Sequence, residues 1–225
     1  MQEALEKDSP DQIWCLGDLV GYGPRPNECT DAARELAGVC LVGNHDLGVL
    51  DLVPLEDFSD EALESALWTR EILGDASRDY LAGLRPLARV EEPEAQLFHA
   101  SPYDPVWEYV LDLAAVERAF ELTDAPLVLI GHSHVPIVAQ VDDVAGAAHA
   151  PEGTEVDLSR GRVLLNPGSV GQPRDGDWRA AYLLVDFETH TAVFRRVAYD
   201  VARTQAEIRE AGLPEPLAER LGHGF

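Results

Sequence analysis

Four short segments place a potential metal ligand or proton carrier directly after an apolar run. Trp14–Leu16 is followed by Gly17 and Asp18, and Cys40–Val42 by Gly43, Asn44, His45 and Asp46. Leu97-Phe98 leads into His99, and Leu127–Ile130 into Gly131, His132, Ser133 and His134. Each segment alone has an ordinary structural explanation: a turn, a capping aspartate or a hydrogen-bonded histidine. Four of them at the ends of predicted strands, in this order, point to a shared site. Asp, Asn and His supply oxygen and nitrogen donors, a set that suits Mn, Fe, Zn or Ni better than the carboxylate-rich cage of Ca. His132 and His134, two residues apart, are expected to face one cluster from an extended backbone.

The elements that must carry these residues follow from periodicity. Strands are predicted over 12–16, 38–42, 96–99, 127–130, 135–141, 162–166, 181–187 and 192–198, where short apolar runs end in turn residues. Helical patterning covers 27–36, 59–73, 113–120 and 200–211, with Asp200 as an N-cap. Strand and helix alternate early and strands follow one another late, which predicts an α/β layered fold whose partly parallel sheet is finished by antiparallel strands. In such sheets ligands bind beyond the carboxyl ends of the strands. Residues 51–90 read as a helical insertion in a single domain spanning 1–225, placed where a lid could cover the site. The Gly/Pro-rich segment 166–177 reads first as a structured turn and second as a wall of the site, with Arg174 near a phosphate.

Composition excludes some partners. The net charge of −24 disfavours nucleic-acid backbones and anionic membranes. No apolar run approaches the ~20 residues that span a bilayer, and no signal pattern opens the chain, so a cytoplasmic location is expected. Cys15, Cys29 and Cys40 lack metal-type spacing and are expected as reduced thiols. His149, His190 and His223 are expected at the surface, and nothing fixes the oligomeric state.

The ordered set Gly17-Asp-Leu-Val-Gly-Tyr-Gly-Pro24, Gly43-Asn-His-Asp46, Phe98-His-Ala-Ser-Pro102, Gly131-His-Ser-His-Val-Pro136 and Asn166–Arg174 resembles the calcineurin-like metallophosphoesterases, in particular their small single-domain prokaryotic branch. The resemblance implies a four-layer α/β/β/α sandwich of two mixed sheets and a site for two divalent transition-metal ions. It implies that Asp18 bridges both ions, that Asn44, His99 and His132 complete one, and that His134 serves the other. His45 would be the imidazole that binds no metal and protonates the leaving group, oriented by Asp46. Asn44 and Arg174 would also contact the substrate, a small phosphorylated molecule hydrolysed as a mono- or diester by metal-activated water.

The family pattern opens with Asp-x-His at the end of a first strand, and this sequence has no such motif upstream of Asp18. The first strand is therefore expected to be absent, and this chain is expected to hold one ion where the family pattern holds two, with His134 short of partners. Two accounts follow: an active phosphoesterase that needs upstream residues for full activity, or a degenerate form that binds metal or phosphate without turnover.

Overall fold

The computed structural model describes residues 1–141 and 145–225. The first part of the chain runs α1 (Gln2–Asp8), β1 (Trp14–Cys15), α2 (Pro26–Leu36), β2 (Val39–Cys40), α3 (Asn44–Val49), α4 (Asp60–Ile72) and α5 (Asp75–Gly83). The middle adds β3 (Leu87–Val90), β4 (Ala95–Phe98), α6 (Leu113–Glu121), β5 (Leu127–Ile130), β6 (Ile137–Val141), β7 (Ala145–His149), β8 (Glu155–Asp157) and β9 (Arg162–Asn166). A hairpin of β10 (Ala180–Asp186) and β11 (Thr191–Val197) leads to α7 (Val201–Glu210) and α8 (Glu215–Glu219).

The main sheet has the order β3-β4-β5-β9-β6-β7. Strands β4, β5 and β9 run parallel, and β3, β6 and β7 add antiparallel neighbours. β5 lies at its centre because all four of its residues are apolar and buried on both faces. Val128 and Ile130 face α6 through Val116, Ala119 and Phe120, with Leu164 of β9 beside them. Leu127 and Leu129 face the opposite way, toward Leu41, Val156, Ala192 and Phe194. That second core joins the main sheet to the antiparallel sheet β10-β11-β8 and to the parallel pair β1-β2. The fold is thus mixed α/β with several sheets and is consistent with the expected sandwich. Where two mixed sheets were expected, the smaller layer divides into these two pieces. β1 and β2 are two residues each, because the chain leaves them at once through Leu16-Gly17 and Leu41-Val42-Gly43 toward Asp18 and Asn44.

Local chemistry explains most helix starts. Ser59, Asp112 and Asp200 accept hydrogen bonds from the backbone N–H groups of Ala62, Ala115 and Arg203, so each caps its helix. The structure differs from the sequence reading in several elements, and α1, β7, β8 and α8 are additions to it. Residues 51–90 are not helical throughout: they hold α4 and α5 and end in β3, whose alternating exposure marks an edge strand with one face half-buried. Asn44–Val49 forms the short helix α3, where a turn was the simplest reading. The Asp46 carboxylate reaches back to the Gly43 N–H at 2.9 Å and closes this helix start. No helix among the described residues is long and apolar enough to cross a membrane. Cys15, Cys29 and Cys40 are unbridged, and His149, His190 and His223 are exposed.

Candidate metal centre

Asp18 follows β1, Asn44 and His45 open α3 after β2, His99 follows β4, and His132 and His134 follow β5. Hydrogen bonds to main-chain carbonyls fix the imidazoles. His99 Nδ1–H donates to the Leu16 carbonyl at 2.8 Å, and His132 Nε2–H donates to the Trp107 carbonyl at 3.1 Å. A carbonyl only accepts, so these bonds set the tautomers and leave His99 Nε2 and His132 Nδ1 as free lone pairs.

His99 Nε2 lies 3.2 Å from Asn44 Oδ1 and 3.5 Å from Asp18 Oδ2. One ligand atom from each of Asp18, His99 and His132 falls within 4.8 Å of the others. With Asp18 ionised, a lone pair, an amide oxygen and a carboxylate oxygen therefore converge with no donor between them. That arrangement is repulsive alone and attractive around a cation, so these residues fit a divalent ion. Burial keeps the rings neutral and able to ligate: His99 is pushed down to about 4 by desolvation, and His132 to about 3 by desolvation and then the neighbouring His99.

The sequence reading expected His132 and His134 on one extended backbone. Both instead have left-handed φ, 60° and 59°, and Ser133 N–H closes a tight turn onto the Gly131 carbonyl. His134 is drawn aside to donate from Nδ1 to the Gln172 carbonyl at 2.7 Å, and it lies outside the Asp18–His99–His132 group. Burial holds its pKa well below the ordinary histidine value.

His45 is 5% exposed, and its Nδ1 is buried with no partner. Asp46, expected to orient it, instead pins backbone: its oxygens accept from Val20 N–H at 3.0 Å and Gly43 N–H at 2.9 Å, locking the β1 loop to the β2 exit. The His45 ring is held by aromatic contacts, with Tyr22 at 4.4 Å and Phe58 at 4.9 Å between centroids. Desolvation, then the charge of Arg174, takes its pKa down to about 3. Burial also raises Asp18 to about 7, against hydrogen bonds from backbone N–H groups such as that of His45. Asp46 rises to about 8 from burial and then from its neighbour Asp18.

Arg174 does border the site. It donates to Tyr22 Oη at 3.2 Å and to Gln172 Oε1 at 2.9 and 3.2 Å, and its guanidinium lies over the Tyr22 ring at 5.8 Å. Tyr22 and Gln172 were not read as site residues. The one signal for Tyr22 was its place between two glycines, and it adopts a left-handed φ of 57°. Of the aromatics near the site, Tyr109 is 48% exposed and stacks on His132 at 4.1 Å, and Trp107 meets Phe58 edge-on. Trp68 packs among the C-terminal helices.

Gly43 shows how tightly the centre is built: a Cβ there would lie 2.0 Å from Asp18 Oδ1. Gly43→Ala should therefore displace the carboxylate, weaken metal retention and lower stability by about 1–3 kcal/mol, as overpacking does. Thermal unfolding with and without Mn checks this, and an unchanged metal-dependent shift counts against the assignment.

Comparisons with known proteins point to one family. The model of the calcineurin-like phosphoesterase superfamily domain matches residues 1–190. The uncharacterized protein MJ0912 of Methanocaldococcus jannaschii is 37% identical over 214 residues, covering 93% of this chain and 85% of that protein. The solved structure of a metallophosphoesterase from Sphaerobacter thermophilus has a TM-score of 0.88 at 40% identity, over 100% of this chain and 93% of the other. A symmetrical bis(5'-nucleosyl)-tetraphosphatase of Ectopseudomonas mendocina is 28% identical over 173 residues, 74% of this chain and 59% of its own length. With the family model covering most of its length and the candidate ligand residues gathered at its strand ends, the chain belongs to the calcineurin-like phosphoesterase superfamily.

Proposed function

We propose that the chain is a metal-dependent hydrolase of small phosphate mono- or diesters. The observation that carries this reading is the convergence of Asp18 Oδ2, Asn44 Oδ1 and the His99 Nε2 lone pair, with His132 beside them and no donor among them. Asp18, Asn44, His99 and His132 would hold an ion of Mn, Fe, Zn or Ni, with His134 available to a second. A bound divalent ion lowers the pKa of water and offsets charge on phosphoryl oxygens.

The protein's own groups supply the rest. His45 is neutral before substrate arrives, since burial opposes its cationic form. An anionic phosphate group beside it favours the protonated ring, which can then pass a proton to the leaving oxygen. Asp46 keeps His45 and Asp18 in register by tying their loops together. Arg174 supplies charge-assisted hydrogen bonds to nonbridging oxygens. Tyr109 offers a half-exposed ring face at the rim. That face, with the similarity to the bis(5'-nucleosyl)-tetraphosphatase, makes dinucleoside polyphosphates the first natural substrates to test.

Residues 1–225 loaded with excess Mn and freed of weakly bound ion should retain about one ion per chain, the number three or four protein ligands hold, and hydrolyse bis(p-nitrophenyl) phosphate or p-nitrophenyl phosphate. Absence of both metal and turnover overturns the proposal. A retained ion without turnover supports the degenerate, metal- or phosphate-binding reading, which the separation of His134 from the three-residue group favours.

A further inference from the structure

Residues 201–225 lie beyond the part of the chain matched by the family model, yet they reach the wall of the site. α7 and α8 build a small core from Ile208, Leu213, Leu217 and Leu221, and Tyr22 packs against it. After α8 the backbone turns back, and Gly176 N–H donates to the Gly224 carbonyl at 2.9 Å. The final residues are thereby fastened to the 172–177 loop.

Arg220 joins the two segments. Its Nε–H donates to the Phe225 carbonyl at 2.7 Å, and its Nη1 donates to Gln172 Oε1 at 3.3 Å. The same Gln172 oxygen accepts both Arg174 hydrogen bonds, and Arg174 then reaches Tyr22 Oη. Two guanidinium groups thus share one amide oxygen in a protein of net charge −24. Neither forms an ion pair with a carboxylate among the described residues. Gln172 is 4% exposed, and its Nε2 is buried with no partner. Two guanidinium groups drawn onto one acceptor, next to an unsatisfied buried donor, form an environment that an anion stabilises.

We infer that the C-terminal hairpin is a working part of the site, in which Arg220 is a positioning residue that sets the Arg174 guanidinium, through the Gln172 oxygen, to anchor phosphate oxygens of the substrate. The inference rests on the phosphoesterase reading and adds to it a segment outside the matched domain. Arg220 touches neither the candidate ligands nor His45 by hydrogen bond, so its effect should appear in binding and spare the chemical step.

The test is a double-mutant cycle on the Mn-loaded full chain, with inorganic phosphate as the probe and calorimetry as the readout. Arg174→Met should weaken phosphate binding by roughly 10–100-fold, the scale of a lost charged hydrogen-bond pair. Arg220→Met should weaken it by about 3–10-fold, and adding it to Arg174→Met should cause no further loss, because two residues acting through one group are not additive. Against a chromogenic phosphodiester, Arg220→Met should raise KM and leave kcat and the metal content near wild type. If Arg220→Met does not fold, Arg220→Lys replaces it, and the same loss is expected because an ammonium cannot span both carbonyl oxygens as the fork does. Unchanged phosphate affinity, or additive losses in the double variant, overturns the inference. Wild-type protein that turns over substrate without any Arg174-dependent phosphate binding overturns it too, leaving the hydrolase reading intact. Wild-type protein with neither metal nor turnover removes both.

Discussion

The Asp18→Asn protein is expected to lose metal and turnover together, with hydrolysis falling about a thousandfold or more. Asp18 is the one carboxylate in the group it forms with His99 and His132, so the substitution removes the one formal negative charge that this group of described residues would offer an ion. Removing an outer-shell partner of a metal ligand typically costs 10–100-fold; loss of a charged ligand should exceed that, and a thousandfold is about 4 kcal/mol of transition-state stabilisation. Metal content after gel filtration and turnover of a chromogenic phosphodiester measure the two effects. Retention of a full complement of metal would mean that another group carries the ion.

The same substitution should act in the opposite direction on the metal-free protein. Asp18 is raised from 3.8 to about 7 in the fold and Asp46 to about 8, in both cases chiefly by burial. Between the unfolded and folded values the native state holds protons that the unfolded chain has lost, so stability falls as pH rises through this range. His45, His99 and His132 work the other way, since their folded values near 3 to 4 lie below 6.5. With His134, also held low by burial, they cost stability as pH falls through 6.5, and their opposing slope fades within about one pH unit above it. From about pH 7 to 8 the two carboxyls outweigh it, and metal-free wild type should melt at progressively lower temperature. Asp18→Asn should reduce that slope and melt above wild type at pH 8. An ion should stabilise wild type most at the alkaline end, where no proton has to be displaced. A melting temperature flat from pH 7 to 8 would show that Asp18 and Asp46 are both already ionised without metal.

His45→Ala gives the second large effect: turnover down by roughly 10²–10⁴, the range for loss of a general acid or base, with metal content unchanged. His45 lies beside the group formed by Asp18, His99 and His132 without belonging to it, and its buried Nδ1 has no structural partner to lose. Tyr22 and Phe58 close over the ring, so the alanine leaves a void and some loss of stability is expected. The informative quantity is therefore turnover per retained ion. A drop in metal content would make His45 a ligand, and unchanged turnover would point to a contaminating phosphatase.

The sequence by itself placed Asp18, Asn44, His45, His99, His132 and His134 at strand ends, because apolar runs, terminating glycines and donor-bearing side chains are all local in the chain. It also gave β5 and β9 to the residue and the starts of α4, α6 and α7 within one or two, since those elements depend on period and capping. It did not show that His132 and His134 sit in a left-handed turn, for two residues of spacing mean a shared face only if the backbone is extended. Nor did it show that Asp46 serves the backbone at Val20 and Gly43 instead of the neighbouring imidazole, or that Tyr22, Gln172 and Arg220 meet Arg174. Those contacts join residues up to 152 positions apart. No periodicity encodes such a pairing; it exists only once the sheets are stacked and the C-terminal helices have folded back across them.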